Sequence, residues 1–198
     1  MKIGLTGSIA CGKSTVSAYL RESGVPVVDA DAISHALTAP GGPALPMLRE
    51  AFGEDIFDGD ILNRRALGQL VFSSPDRLSQ LNGILHPMII AEVQKRLEAL
   101  SAAHPLVAGD VPLLYECGME RLFDAVLVVS VPRETQISRI MERDHLSVEE
   151  ACRRIDAQMP LCKKKARADA VIDTSGPIEC TRARVRAVID HLMQRRQA

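Results

Sequence analysis

The segment Gly7-Ser8-Ile9-Ala10-Cys11-Gly12-Lys13-Ser14 constrains this chain more than any other. It fits the pattern G-x-x-x-x-G-K-[ST], and its surroundings are those the pattern needs. Residues 2–6 are short, apolar and suited to a buried strand; residues 14–22 have helical spacing and stop at Ser23-Gly24. A strand, a glycine-containing loop and a helix N-terminus, in that order, make an anion cradle. Backbone N–H groups wrap phosphate oxygens, and the helix end adds its partial positive charge. The loop then predicts nucleotide contacts from Gly7, Ala10, Cys11, Gly12, Lys13, Ser14 and Thr15. The Lys13 ammonium reaches the β- and γ-phosphates, and the Ser14 hydroxyl sits on Mg²⁺. Lys13 is expected to face solvent until nucleotide binds. Cys11 stands at a helix N-terminus, where thiol pKa values fall, but its expected role is that of a small filler whose backbone faces phosphate. A bare glycine turn would not explain the Lys-Ser pair.

Four more apolar segments follow, at residues 25–29, 106–111, 125–131 and 170–173. Continuous apolar strands separated by helical stretches predict an α/β fold: a five-stranded parallel sheet flanked by helices. Between the second and third strands lie about 75 residues, far more than one crossover helix needs. Pro40-Gly41-Gly42-Pro43 breaks the chain early there, and helical patterns follow at 44–52, 63–72, 75–85 and 87–100. Residues 32–92 therefore read as a helical lobe inserted into a core of residues 1–31 and 93–198. A second helical excursion covers 147–167, within a lid region at about 140–167; Ser147 and Glu150 match a capping box at its start. From Pro177 onward, Thr181, Val185, Val188, Ile189 and Leu192 recur at helical spacing and read as core.

Composition excludes several classes of partner. The formal net charge of −1 offers no general field for nucleic acid or an anionic membrane, and no tryptophan is available for base stacking. The longest apolar run, at 125–129, is five residues, which fits no transmembrane helix, and the N-terminus has no signal-peptide core. Five cysteines without C-x-x-C spacing argue against a disulfide framework and for a reducing cytoplasm. Charge is uneven, however. Residues 1–132 carry 10 Lys/Arg against 15 Asp/Glu, while residues 133–198 carry 14 against 10. Most of those later cations read as solvated helix faces, Lys163-Lys164-Lys165 included; some can meet a polyanionic small molecule.

A GTPase would carry an N/T-K-x-D sequence, and none is present. A motor ATPase would end an apolar strand on Asp, and residues 107–110 are a poor version of that. A small-molecule kinase, with one lobe for the acceptor and one as a lid, fits better. Further motifs sharpen this reading: Asp29-Ala30-Asp31; Asn63-Arg64-Arg65-Ala66-Leu67-Gly68 with Val71-Phe72; Leu81-Asn82-Gly83-Ile84-Leu85-His86-Pro87; Val111-Pro112-Leu113-Leu114-Tyr115-Glu116; and Arg154-Ile155-x-Ala157-Gln158. In this order and spacing the chain resembles the dephospho-CoA kinase family over nearly its whole length. The resemblance implies the P-loop kinase fold, with a helical acceptor-binding insertion and a helical lid. It implies phosphorylation of the ribose 3′-hydroxyl of 3′-dephospho-CoA by ATP with Mg²⁺, the last step of coenzyme A synthesis, and no obligate protein partner. Residue by residue, Lys13 and Ser14 would serve ATP and Mg²⁺, Asp31 would stand beside the acceptor hydroxyl, and Arg64 and His86 would lie in the acceptor lobe. Arg139 and Arg143 match arginines leading into the lid, Gln158 a lid glutamine, and the loop holding Thr174 and Gly176 the stretch beside adenine.

Two departures stand out. Ser8 and Ala10 replace glycines frequent in the family's loop, so a positive φ at Ala10 would cost roughly 1 kcal/mol. Thr174 stands where Asn is frequent, which leaves adenine to backbone groups. Some roles stay open on sequence alone. Asp29 reads as a helix N-cap or as a catalytic carboxylate. Asp31 reads as base or metal partner, and His86 as an acceptor contact or a cap before a helix starting at Pro87. Arg139 and Arg143 share a helix face, with an ion pair to Glu142 or Asp144 open to one of them. Asp110 and Glu116 stay ambiguous. The rivals are a nucleoside monophosphate or shikimate-type kinase on the same architecture, and a nucleotide-binding regulator without turnover.

Overall fold

The structure, a computed structural model, describes residues 1–197. β1 (Lys2–Gly7), α1 (Lys13–Glu22) and β2 (Val27–Asp29) open the chain. Next come α2 (Ala30–Leu37), α3 (Leu45–Phe52), the short strands β3 (Phe57–Asp58) and β4 (Ile61–Leu62), α4 (Arg64–Phe72) and α5 (Pro75–Ser101). β5 (Val107–Asp110), β6 (Ala125–Ser130), α6 (Arg133–Asp144), α7 (Val148–Asp156), α8 (Leu161–Ala166), β7 (Ala170–Asp173) and α9 (Ile178–Gln197) complete it. The chain forms two compact units, Met1–Val28 with Leu97–Ala198, and Asp29–Arg96.

The first unit is built on the five-stranded sheet that the sequence predicts, in the order β2-β5-β1-β6-β7. β1 pairs in parallel with β5 and β6, and β6 in parallel with β7. Strands buried on both faces must be apolar throughout, as β6 is over Ala125-Val126-Leu127-Val128-Val129. Ile3, Leu5, Leu127 and Val129 are fully buried; α1 adds Val16 and Leu20 to this core, and α9 adds Val185 and Leu192. Each such side chain contributes about 1.5–3 kcal/mol. From β1 the chain passes to the edge at β2, while β6 and β7 lie on the other side. The strand order therefore reverses beside β1, the crevice position where open α/β sheets bind ligands.

A smaller apolar cluster forms beyond the strand ends. Ile140 of α6 packs with Ala151 and Ile155 of α7, and Ile9 and Ala10 of the β1–α1 loop join it. The capping box before α7 is present: Ser147 Oγ accepts from Glu150 N, and Glu150 answers on Ser147 N.

The second unit is mostly helical. The Asp29 carboxylate caps α2, accepting from the N–H groups of Asp31 and Ala32 at 3.0 Å, so the N-cap reading of Asp29 holds. Asn63 caps α4 in the same way. Ile33, Leu48, Phe52, Ile56, Leu62 and Val71 are buried. The β3–β4 hairpin turns at Gly59, with φ of 63°, a small element the sequence pattern did not separate from its neighbours. Helices expected at 75–85 and 87–100 are one 27-residue helix, α5, with Pro87 inside it. Pro87 removes one helical hydrogen bond. The carbonyl it would have served belongs to Gly83, an exposed residue, so water can take the place of the lost bond. His86 therefore starts no helix, and its reading as a cap falls.

Candidate active site

Two close approaches shape the loop between β1 and α1. A Cβ on Gly7 would lie 2.4 Å from the Cys11 sulfur and 2.8 Å from the Val129 carbonyl oxygen, so only glycine fits. Gly12 enters α1 with φ of 83°, in the left-handed region that glycine reaches freely. Ala10 sits there too, with φ of 58°, so the strain foreseen from its sequence departure is present. Cys11 is almost fully buried, and burial pushes its thiol pKa up, outweighing the Lys13 amide and charge that pull it down. It fills space in the core beside the loop.

Lys13 does not face solvent. Its ammonium donates to the Asp110 carboxylate at the end of β5, and the two side chains are 19% and 6% exposed. β1 and β5 are paired in register with Leu5 opposite Asp110, which brings the carboxylate to the mouth of the loop. Asp110, ambiguous on sequence, is thus the partner of the loop lysine.

A cavity of about 500 Å³ opens at the N-terminus of α1. Ala10, Gly12, Ser14 and Thr15 line one side, with Arg139, Arg143, Thr174, Gly176 and Thr181 around them. Arg139 and Arg143 do share a face of α6. They differ in company, however. Arg143 forks onto Asp144 at 2.8 and 2.9 Å, and that bond holds the Asp144 carboxyl below its usual range. Arg139 turns inward and donates to the carbonyls of Ala10 at 3.3 Å and Thr174 at 3.0 Å. Thr174 uses its hydroxyl on the Cys11 carbonyl, at 2.6 Å. Its side chain therefore braces the phosphate loop.

Asp31, Arg64 and His86 belong to the second unit, on α2, α4 and α5. Asp31 is exposed in the first turn of α2, two residues after its N-cap Asp29. Arg64, at the start of α4, donates to Thr38 Oγ1 at 2.7 Å. His86 is half-buried, and burial pushes its pKa below the usual histidine value.

Gln158 is found on the loop: its Oε1 accepts from Ile9 N at 2.8 Å and Ser8 Oγ at 3.1 Å. Gln136, which the sequence did not single out, donates to the Ile9 carbonyl at 2.8 Å. Lys164 departs furthest from expectation. Lys163 and Lys165 are exposed, but Lys164 is fully buried, with Glu116 2.8 Å away. Only its place three residues after Leu161 hinted at an inward position.

The profile of the family described as dephospho-CoA kinase matches residues 1–179. The chain belongs to the dephospho-CoA kinase family. It is 46% identical over 191 residues to the dephospho-CoA kinase of Bacillus licheniformis, covering 95% of this chain and 94% of that one. Among solved structures it is similar to TT1252 from Thermus thermophilus (39% identity, TM-score 0.83, 97% of each chain) and to dephospho-CoA kinase from Campylobacter jejuni (28% identity, TM-score 0.66, 96% of each chain). The activity is thus that of a dephospho-CoA kinase, the last step of coenzyme A biosynthesis, and the rival kinases and the non-catalytic regulator are set aside. Among the described residues no helix is long and apolar enough to cross a membrane.

Proposed function

We propose that the γ-phosphoryl group of ATP is held at residues 7–15 and passed to the ribose 3′-hydroxyl of 3′-dephospho-CoA. The observation that carries this reading is the cavity at the N-terminus of α1, where Ser14 and Thr15 face Arg139 and Thr174. Phosphoryl transfer asks for in-line positioning and for positive charge on the equatorial oxygens, with little covalent work from the protein. Loop amides and the α1 N-terminus receive the phosphates. Lys13, released from Asp110, follows the charge onto the transferring group. Arg139 and Arg143 stand over the same cavity, and the Thr174–Gly176 backbone receives the adenine.

Mg²⁺ fits the donors present. The Ser14 hydroxyl and the Asp110 carboxylate would hold it, with phosphate oxygens and water completing the shell. It would supply positive charge against the charge that develops on the transferring phosphoryl group. The unit Asp29–Arg96 serves as the acceptor lobe, with Arg64 on the acceptor's phosphates and His86 as a further contact. Residues 140–167 serve as the lid. Asp31 takes the proton of the ribose hydroxyl. Asp29 spends its carboxylate on the α2 cap, and the family resemblance puts Asp31 beside the acceptor hydroxyl. The five cysteines are free, which suits the reducing cytoplasm to which we assign the enzyme. ADP release measured with dephospho-CoA, AMP, CMP, shikimate and adenosine tests the reading. It should be fast with dephospho-CoA alone; equal rates with another acceptor would overturn it.

A further inference from the structure

A loop that turns its N–H groups inward to a phosphate must turn its carbonyls outward, and buried carbonyls need donors. Every carbonyl from Gly7 to Cys11 has one. Ser8 O takes the Cys11 amide within the loop, at 3.3 Å. The other four take side chains from the C-terminal half of the chain: Lys164 on Gly7, Gln136 on Ile9, Arg139 on Ala10 and Thr174 on Cys11. Lys164 is the fully buried cation of this set.

An ammonium has three donors, and three acceptors surround this one. They are Gly7 O at 3.2 Å, Pro112 O at 3.0 Å and Glu116 Oε1 at 2.8 Å. Gly7 ends β1 as it becomes the loop. Pro112 lies two residues past Asp110, the partner of Lys13, and its carbonyl also accepts from Thr6 Oγ1 at 3.0 Å. Glu116 in turn accepts from the Met159 N–H, between α7 and α8. A buried ion pair rarely stabilises more than apolar residues of the same volume would, so stability alone gives a poor reason for a lysine here. Its two carbonyl contacts give a better one.

We propose that Lys164 is a positioning residue for phosphoryl transfer: it fixes the Gly7 peptide and the β5 exit, and so sets the loop amides and the Lys13–Asp110 pair in place for the nucleotide's phosphates. It acts through the backbone and touches no substrate. The proposal rests on the reading of residues 7–15 as the phosphate site.

The test compares wild type, Lys164→Met, Glu116→Gln and the double variant Lys164→Met/Glu116→Gln. The double variant carries no unpaired buried charge, and the side-chain amide introduced by Glu116→Gln can still accept from the Met159 N–H. Melting temperature, calorimetric affinity for tripolyphosphate, kcat and both KM values are read for each. The double variant should melt within a few degrees of wild type yet bind tripolyphosphate tenfold or more weakly. Its KM for ATP should rise and its kcat fall about tenfold, with the KM for dephospho-CoA within twofold. A folded double variant with wild-type tripolyphosphate affinity and kcat would overturn the proposal, because Lys164 would then serve only its ion pair. A double variant that does not fold would overturn it too, making Lys164 a folding residue. Wild type that turns over ATP but does not bind tripolyphosphate would sink the phosphate-site reading instead.

Discussion

At the scale of single residues, the loop trades backbone comfort for shape. Ala10 holds a positive φ that costs an L-residue about 1–2 kcal/mol. Ala10→Gly removes that strain but adds freedom to the unfolded chain, worth about 0.4–1 kcal/mol the other way. The expected net is a gain of roughly 0.5 kcal/mol, read by denaturant titration; a loss above 1 kcal/mol would show that the Ala10 methyl matters more in its cluster with Ile140 and Ile155. Asp31 carries a sharper expectation. Asp31→Asn keeps size and hydrogen bonding but cannot take a proton, so kcat should fall about 10²–10⁴-fold with both substrates still bound. A series of Mg²⁺ concentrations separates the roles: a lost base is not rescued by more metal, whereas a lost metal partner is. A kcat within a few-fold of wild type at every level would remove Asp31 from the reaction.

At the scale of elements, α5 carries a pH dependence. Burial lowers the His86 pKa, so the folded state resists a proton that the unfolded state accepts. Between the unfolded value near 6.5 and the lower folded value the unfolded chain binds more protons, and stability falls as pH falls through that window. The melting temperature of wild type should drop more from pH 7.5 to pH 5.5 than that of His86→Asn; equal drops would refute the assignment. α5 also shows where the sequence misled. Pro87 reads as a boundary because proline removes a helical hydrogen bond, yet a helix can carry that loss where the freed carbonyl, that of exposed Gly83, is open to water. The strands and α1 were legible because burial on two faces, or on one stripe, writes a period into the sequence. The carbonyl donors were not. Gln136 sits among charged and polar neighbours on α6 and Lys164 within a run of three lysines on α8, and no periodicity separates a side chain turned toward a loop carbonyl from one turned toward water.

At the scale of the whole molecule, the sequence resemblance carried the activity, and the fold assigns the loop of residues 7–14 and the motifs holding Asp31, Arg64 and His86 to different units. That division has a consequence for binding. Arg64→Ala should weaken dephospho-CoA binding about tenfold or more while leaving ATP binding nearly unchanged, because its guanidinium lies on α4 and not on the nucleotide core. Separate titrations of the two ligands check it, and an ATP-selective defect would contradict the acceptor lobe. The central claim is that the loop of residues 7–14 carries the transferred phosphoryl group, and Lys13→Ala tests it most directly. The variant leaves the buried Asp110 carboxylate without its partner, which costs about 1–3 kcal/mol of stability, so the assay is run well below its melting temperature on protein of native circular dichroism. The measurement is kcat for ADP formation with saturating ATP and dephospho-CoA. A fall of 10²-fold or more is the expected result, and a folded variant with kcat within threefold of wild type would contradict the account.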